Sequence, residues 1–174
     1  MKNLIFILAF LLIGFDGLAA KVDTVSTYSS SMKKSIKAVV VTPDSYNENE
    51  EFPVVYLLHG YSGNYKDWIR KVPEIQEYAD RFNLIIVCPE GDFGSWYLDS
   101  PEISQSNYET YTSSELVEWI DKHYSTITNK NGRAITGLSM GGHGAFYLAF
   151  KHQDVYGMAG SMSGGVDLRP FPEN

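Results

Sequence analysis

The sequence of 174 residues contains a single cysteine, Cys88, and only four histidines. One cysteine excludes an intramolecular disulfide. Cys88 ends the apolar run of residues 84–87, and a nucleophilic thiol would need a base and an electropositive, accessible setting. We therefore expect Cys88 to be a buried structural residue. The histidines are scattered without metal-ligand spacing, so the sequence predicts no metal site.

Clusters of positive charge are absent as well. The chain has 14 Lys and Arg residues against 21 Asp and Glu residues, which gives a net charge of −7 at pH 7. Because binding to a phosphate backbone needs clustered Lys and Arg, this composition argues against nucleic acid as a partner. The chain also lacks repeats, low-complexity blocks and an internal linker, so its length predicts a single folded domain.

Beyond the first residues, no apolar run is long enough to span a bilayer. At the N-terminus, Lys2 precedes an apolar stretch at residues 4–13, and small residues follow up to Ala20. This order is typical of a secretory signal peptide, and the stretch is short for a membrane span. We expect residues 1–20 to be a signal peptide and residues 21–174 to form an exported domain, periplasmic or extracellular. An uncleaved membrane anchor is the alternative.

Strands and helices alternate along the rest of the chain. Two β-branched segments separated by a polar turn predict an antiparallel hairpin. The later strands are apolar on both faces, as in the centre of a parallel sheet, and helical segments separate them. The sequence predicts an α/β fold with a mostly parallel sheet, an N-terminal hairpin and helices on both faces. The predicted strands are residues 22–28, 35–42, 54–58, 84–87, 133–136 and 158–163. The predicted helices are residues 108–124 and 142–150, and residues 67–79 are predicted to be a loop plus a helix whose early part Pro73 makes irregular.

Residues 137–141 read G-L-S-M-G and lie between a short apolar run and an apolar helical segment. A strand, a sharp turn and a helix with serine at the apex form the context that a nucleophile elbow needs. Glycines flank the serine where a β-carbon would clash in such a turn. We interpret Ser139 as a catalytic nucleophile, and a glycine-rich structural turn is the alternative.

A second glycine-rich loop, residues 59–63, reads H-G-Y-S-G and directly follows a predicted central strand. In the elbow architecture, one N–H of the oxyanion hole comes from this loop and the other from the residue after the nucleophile. Here these residues are Tyr61 and Met140. His59 precedes the serine in the chain, and we expect it to brace the turn rather than to act as a base.

An aromatic loop follows the predicted strand at residues 84–87 and contains Trp96 and Tyr97. Loops at the carboxyl ends of parallel strands form the binding crevice of open α/β sheets. Both side chains are therefore candidates for the wall of an acyl or alcohol pocket, and packing within the loop is the alternative. Glu115 lies on a predicted helix outside this crevice, so we expect it to be a structural, hydrogen-bonding carboxylate.

Three motifs in order carry a family resemblance: LLHGYSG at residues 57–63, SWYLD at residues 95–99 and GLSMGGHG at residues 137–144. Together they resemble the putative-esterase group of the α/β-hydrolase superfamily. This group includes the esterase D and S-formylglutathione hydrolases, bacterial tributyrin and feruloyl esterases, and the antigen 85 mycolyltransferases. The resemblance runs from about residue 22 to residue 163 and is more specific than any one motif alone.

The resemblance implies an α/β-hydrolase fold and an enzyme without a cofactor. It implies that Ser139 is the nucleophile and that the N–H groups of Tyr61 and Met140 form the oxyanion hole. Members of the group continue well beyond the strand at residues 158–163 and carry the triad acid and then the histidine there. By resemblance, we expect the acid and the base to lie beyond Asn174.

Four residues that follow Ser139 in the sequence are candidates for the base or the acid of a triad within this chain. His143 lies one turn beyond the serine, where the family motif has a histidine that does not serve as the base. His152 ends the same helix, far from the apex of the turn. Asp154 matches a helix-terminal position of the family, and Asp167 comes one strand earlier than the acid is expected. We do not expect a self-contained triad from these residues.

These features predict a serine esterase that forms an acyl-enzyme and passes the acyl group to water. Its expected substrate is a small-molecule or carbohydrate ester, such as an acetylated or feruloylated carbohydrate or a short-chain ester. Two alternatives stay open: an acyltransferase, and a truncated chain that lacks the triad acid and base and is inactive or only binds. The sequence specifies neither the natural substrate nor the oligomeric state.

Overall fold

A computed structural model describes residues 20–167, and the expected signal peptide lies outside them apart from Ala20. The described strands are β1 (Lys21–Ser29), β2 (Lys34–Thr42), β3 (Val54–Leu58), β4 (Ile85–Pro89), β5 (Arg133–Gly137) and β6 (Met158–Ala159). They form one sheet in the order β1-β2-β4-β3-β5-β6. Strands β3 to β6 are parallel, and β2 is antiparallel to both β1 and β4. The predicted sheet with its N-terminal hairpin is therefore confirmed.

Two helices lie between β3 and β4, α1 (Asp67–Lys71) and α2 (Ile75–Phe82). The sequence predicts a loop and a helix over residues 67–79, with an irregular early part caused by Pro73. The structure has a short helix in place of the loop, and Pro73 lies between the two helices because it cannot donate a backbone hydrogen bond and disfavours helix in the residue before it. The remaining helices are α3 (Tyr108–Thr110), a π-helical turn (Tyr111–Glu115), α4 (Leu116–His123), a 3-10 turn (Lys130–Gly132) and α5 (Met140–Lys151). No helix within residues 20–167 is long and apolar enough to cross a membrane.

Each face of the sheet carries its own apolar cluster. On one face, Leu116 of α4 and Leu148 of α5 are buried in the same cluster as Tyr56 of β3. On the other face, Ile75 of α2 is buried in a cluster with Leu57 of β3. Burial of one such side chain contributes roughly 1.5–3 kcal/mol. Helices therefore cover both faces, as predicted.

Cys88 of β4 belongs to the second cluster and is 1% exposed. Burial away from water raises the pKa of its thiol to about 12. The thiol is therefore neutral and inaccessible at neutral pH, and the structural interpretation of Cys88 is confirmed.

The edge strand β6 differs from its prediction. The sequence predicts a buried strand over residues 158–163, but only Met158 and Ala159 pair as a strand, and both are exposed. One further bridge joins Met162 to Leu138. The prediction of burial is wrong because β6 is the outermost strand of the described sheet, so no strand within residues 20–167 covers its outer side.

Arg133, the first residue of β5, is buried and makes an ion pair with the partly buried Asp121 of α4. The closest nitrogen and oxygen are 2.6 Å apart, and the Arg133 side chain is 5% exposed. Its second terminal nitrogen donates to the carbonyl oxygen of Val155 at 3.0 Å. These contacts fasten α4 and the chain after α5 to the amino end of β5.

Glu109 of α3 holds the carboxyl end of α5. It accepts hydrogen bonds from the hydroxyl of Tyr147 at 2.7 Å and the ammonium of Lys151 at 2.9 Å, and it lies 2.9 Å from Nε2 of His152. Burial raises the pKa of this carboxyl, but the hydrogen bonds from Lys151, Tyr147 and His152 outweigh burial and lower the pKa below its usual value of 4.5. The sequence pattern gave no indication of this cluster.

Glu115 lies in the π-helical turn and faces the hairpin. Its carboxylate accepts a hydrogen bond from the backbone N–H of Ser31 at 2.8 Å and from the Ser31 hydroxyl at 3.3 Å. It therefore ties the turn between β1 and β2 to the helical layer, which confirms its predicted structural role.

We expect Asp121→Asn to lower the free energy of unfolding by about 3–5 kcal/mol, because the buried guanidinium of Arg133 loses its counter-charge. Asp23→Asn is the matched control, since it breaks the exposed pair of Asp23 with Lys21, at 2.8 Å. It should cost less than about 1 kcal/mol. Urea unfolding followed by circular dichroism measures both, and equal costs would contradict the role given to the buried pair.

Glu109→Gln should lower stability at pH 7 by roughly 1–3 kcal/mol, because charge-assisted hydrogen bonds are lost. The folded-state pKa of Glu109 lies below its unfolded value, so its contribution is present above about pH 4.5 and is lost as the pH falls through the folded-state pKa. Wild type and variant should therefore differ at pH 7 and converge in acid. Thermal unfolding across this range measures the difference, with exposed Glu118→Gln as the control. If the difference in stability between wild type and Glu109→Gln stayed constant with pH, the charge of Glu109 would not be its cause.

Candidate active site

Ser139 lies in the turn between β5 and α5. Its backbone has φ 55° and ψ −115°, a conformation that costs a serine of order 1–3 kcal/mol. Its N–H donates to the carbonyl oxygen of Met162 at 2.8 Å. The residue is exposed although both flanking elements are largely buried. The strained turn therefore keeps this serine accessible at the edge of the sheet.

Only glycine fits at the two positions that flank the turn at Ser139, because a β-carbon there would clash with backbone atoms. A β-carbon at Gly141 would lie 2.7 Å from the carbonyl oxygen of His59 and closer still to that of Leu58. A β-carbon at Gly137 would lie 2.6 Å from the backbone of Gly141. These distances are shorter than carbon–oxygen and carbon–carbon contacts allow, and the obstructing atoms belong to backbone. The clash predicted from the sequence is therefore present on both sides of Ser139.

The glycine-rich loop after β3 meets the turn at Ser139. Strands β3 and β5 are paired in parallel with Leu58 opposite Gly137, so both strands end at the same level. A β-carbon at Gly60 would lie 3.6 Å from Cβ of Ser139. The topology therefore brings residues 59–63 against the serine, as the elbow architecture requires.

The two predicted oxyanion-hole donors lie in these adjoining segments. Met140 opens α5, and the N–H of a first helical residue has no intrahelical acceptor. After Tyr61, the N–H of Ser62 donates to the carbonyl oxygen of Phe93 at 2.8 Å and fixes the loop. Within residues 20–167, the structure gives the N–H groups of Tyr61 and Met140 no acceptor. Both could therefore donate to an oxyanion, and that role stays a prediction.

His59 braces the loops rather than facing the serine as a free base. It is 2% exposed. Its Nδ1 lies 2.8 Å from the carbonyl oxygen of Gly60, and its Nε2 accepts a hydrogen bond from the N–H of Gly91 at 2.8 Å. Because an amide N–H can only donate, Nε2 is the acceptor in the contact with Gly91, and a carboxylate oxygen of Glu90 lies 3.4 Å from the same nitrogen. Both nitrogens are occupied, which agrees with the bracing role expected from the sequence.

A cavity of about 280 Å³ adjoins Ser139 on the side of α1. Its apolar lining includes Trp68, Val72 and Leu138. The indole N–H of Trp68 donates to the carbonyl oxygen of Leu58 at 3.1 Å, which fixes the ring at the end of β3. The serine thus borders an open space large enough for a small group.

The aromatic loop after β4 places its two predicted pocket residues differently. Tyr97 is fully buried, and its hydroxyl donates to the carbonyl oxygen of His59 at 3.2 Å. Of its two interpretations, the structure favours packing within the loop. Trp96 is partly exposed and borders a second depression together with Phe93. Its ring packs edge-on against His143, with ring centres 5.4 Å apart.

Left-handed backbone conformations concentrate around this edge of the sheet. For bulky side chains a positive φ is an outlier, and it persists where surrounding contacts determine the conformation. Apart from the elbow, the sequence carried no signal for this strain. Of the eight non-glycine residues with positive φ in the described chain, six follow the carboxyl ends of β3 to β6: Ser62, Asp92, Trp96, Tyr97, Ser139 and Ser163.

No histidine within residues 20–167 is hydrogen-bonded to the hydroxyl of Ser139. Nδ1 of His143 lies 2.8 Å from the carbonyl oxygen of Gly165, and its buried Nε2 has no partner among the described residues. His152 binds Glu109 at the far end of α5. Among residues 20–167, the histidines are therefore not placed as a hydrogen-bonded base for Ser139.

The acidic residues considered for a triad are Asp154 and Asp167. Asp154 is exposed in the turn after α5, and Asp167 follows β6. Within residues 20–167, no group of three or more His, Cys, Asp or Glu side chains is arranged to hold a metal ion.

A serine at a strained strand–helix turn, beside a glycine-rich loop and on an open, mostly parallel sheet, defines an α/β hydrolase. The chain matches the family described as Putative esterase over residues 29–172, which include all three sequence motifs. The protein belongs to this family.

Individual relatives agree with this assignment. An esterase of Mycobacterium tuberculosis is 33% identical over 133 residues, which cover 75% of this chain and 29% of that protein. An acetyl esterase of Caldicellulosiruptor saccharolyticus is 29% identical over 136 residues, which cover 74% of this chain and 50% of that protein. A solved ferulic acid esterase is 29% identical with a TM-score of 0.77, and the match covers 90% of this chain and 61% of that one. This chain thus spans half or less of both curated relatives.

Gly141→Ala should destabilise the protein by about 3 kcal/mol or more, because the new methyl group meets backbone on β3 that cannot move without breaking the sheet. Gly60→Ala is the matched control, since a β-carbon at Gly60 would lie 3.3 Å from its nearest neighbour, the carbonyl oxygen of Leu138. It should cost less than about 1 kcal/mol. Chemical unfolding of both variants checks this order, and the reverse order would contradict the close approach at Gly141.

Proposed function

We propose that this chain is the nucleophile-bearing part of a serine esterase that cleaves carboxylic esters through an acyl-enzyme on Ser139. The observation that carries the proposal is the strained, accessible Ser139 with the N–H groups of Tyr61 and Met140 in the segments next to it. Membership of the esterase family and the esterase names of its relatives support the same chemistry.

In the proposed reaction, Oγ of Ser139 attacks the carbonyl carbon of the ester and its proton passes to a general base. The oxyanion of the tetrahedral intermediate accepts hydrogen bonds from the N–H groups of Tyr61 and Met140. Each such donor is worth on the order of 3 kcal/mol. Collapse of the intermediate breaks the ester bond and releases the alcohol. Water then attacks the acyl-enzyme, which releases the acid and restores the serine.

The base and its acid partner are a separate part of the proposal. The family resemblance puts them beyond Asn174, and the greater length of the relatives leaves room for them. A serine without a base stays protonated and weakly nucleophilic. Triad enzymes that lack a member keep only about 10³–10⁴-fold acceleration over water. We therefore expect full activity in a version of the protein extended to the length of its relatives.

We further propose that the enzyme is exported and acts on acetyl or feruloyl esters of carbohydrates or on other short acyl esters. The N-terminal pattern of Lys2, an apolar stretch and small residues supports export. The acetyl esterase and the ferulic acid esterase among the relatives support the class of substrate.

A fluorophosphonate probe and p-nitrophenyl acetate test the nucleophile. The extended protein should be labelled covalently and should hydrolyse the ester, and Ser139→Ala should abolish labelling and lower hydrolysis by about 10⁴-fold or more. Mass spectrometry of the labelled peptide identifies the modified residue. Ser114→Ala, an exposed serine on the π-helical turn, is the matched control and should leave both signals unchanged. Labelling that persists in Ser139→Ala, or no labelling of the extended protein, would refute the proposal.

A further inference from the structure

A second depression, of about 490 Å³, shares Tyr61 as a lining residue with the cavity at Ser139. We call it the aromatic trough; Phe93, Trp96, Lys34 and Gln105 line it together with Tyr61. We propose that the aromatic trough binds a neutral sugar ring, which is the alcohol part of the ester. Its volume falls within the range of about 300–1,000 Å³ that is typical of small-molecule sites.

One wall of the trough consists of aromatic rings that face solvent. Phe93 is 59% exposed and Tyr61 is 50% exposed. Their rings pack edge to face with centres 4.9 Å apart. Clustered, exposed aromatic side chains next to a concave surface are typical of a binding site. A sugar ring offers an apolar face of C–H groups that could pack on these rings.

Apart from Gly94 and the apolar Ile103, the remaining lining is polar and balanced in charge. Lys34 and Asp92 contribute one charge of each sign, so the lining does not favour an ionic ligand. The ammonium of Lys34 already donates to the backbone oxygen of Gln105 at 2.8 Å and to the hydroxyl of Tyr108 at 3.1 Å. The side-chain amide of Gln105 and the hydroxyl of Ser106 can donate and accept hydrogen bonds, as sugar hydroxyls require.

The loop that carries the aromatic wall is held in a strained conformation. Asp92, Trp96 and Tyr97 all have positive φ. Two hydrogen bonds hold this loop in place. The hydroxyl of Tyr97 donates to the backbone of His59, and the hydroxyl of Ser95 donates to the backbone of Gly91. Strain of this kind clusters at binding sites, and a prearranged wall loses little entropy when a ligand binds.

The position of Tyr61 connects the trough with the serine. Tyr61 lines both the trough and the cavity at Ser139. A ring bound in the trough would therefore lie next to the site of ester cleavage. The inference rests on the proposed function, because the sugar is taken as the alcohol part of the ester. Binding of a sugar that carries no ester can still be measured without catalysis.

Isothermal titration of the full chain with xylotriose, a neutral oligosaccharide without an ester, tests the inference. Phe93→Ala should weaken binding roughly fivefold or more, because the exposed aromatic wall is lost. Gln105→Ala is a second variant and should weaken binding about two- to fivefold through a lost hydrogen bond. Phe150→Ala removes an aromatic side chain that is 69% exposed on α5, and it should bind like wild type.

Ser139→Ala should bind xylotriose as well as wild type does, so failure of the esterase proposal and failure of this inference are distinguishable. If wild type does not bind xylotriose, or if Phe93→Ala and Gln105→Ala both bind it as wild type does, the inference is overturned. Titration with ferulate as a second ligand distinguishes binding of a sugar ring from binding of an aryl group. Binding of ferulate but not xylotriose, lost in Phe93→Ala, would assign the trough to an aryl group and would also overturn the inference.

Discussion

The parallel pairing of β3 with β5 is the interaction on which the candidate site depends. Its register places Leu58 opposite Gly137, so the loop after one strand and the turn after the other begin at the same level. The carbonyl oxygen of Leu58 accepts a hydrogen bond from the N–H of Leu138 at 3.3 Å. The same oxygen excludes a β-carbon at Gly141. One backbone carbonyl thus fixes how closely the glycine-rich loop approaches Ser139.

Backbone strain at this edge has to be balanced elsewhere in the fold. Six left-handed residues at about 1–3 kcal/mol each sum to an energy comparable with the whole stability of a domain, about 5–15 kcal/mol. Buried apolar contacts in the clusters on the two faces of the sheet offset it.

Local patterns predicted the hairpin, the elbow, the burial of Cys88 and the bracing role of His59, because each depends on neighbours in sequence or on a strand between two others. The features that the sequence did not predict also have physical causes. The exposure of β6 follows from its place at the sheet edge, which apolar composition does not report. The partners of Glu109 are 38 to 43 residues away, so no periodicity could indicate them. Whether Trp96 or Tyr97 faced the core was open for the same reason.

The contact between Tyr97 and His59 joins two loops that the sequence keeps 38 residues apart. Nε2 of His59 also accepts a hydrogen bond from the N–H of Gly91, and the N–H of Ser62 donates to Phe93. At least three hydrogen bonds therefore link the loops after β3 and β4. A shift of the aromatic loop would be transmitted to the segment that carries the N–H of Tyr61. The aromatic wall of the trough and the predicted donor to the oxyanion thus lie in loops that are hydrogen-bonded to each other. Ligand contacts far from the ester bond could therefore affect the chemical step as well as binding.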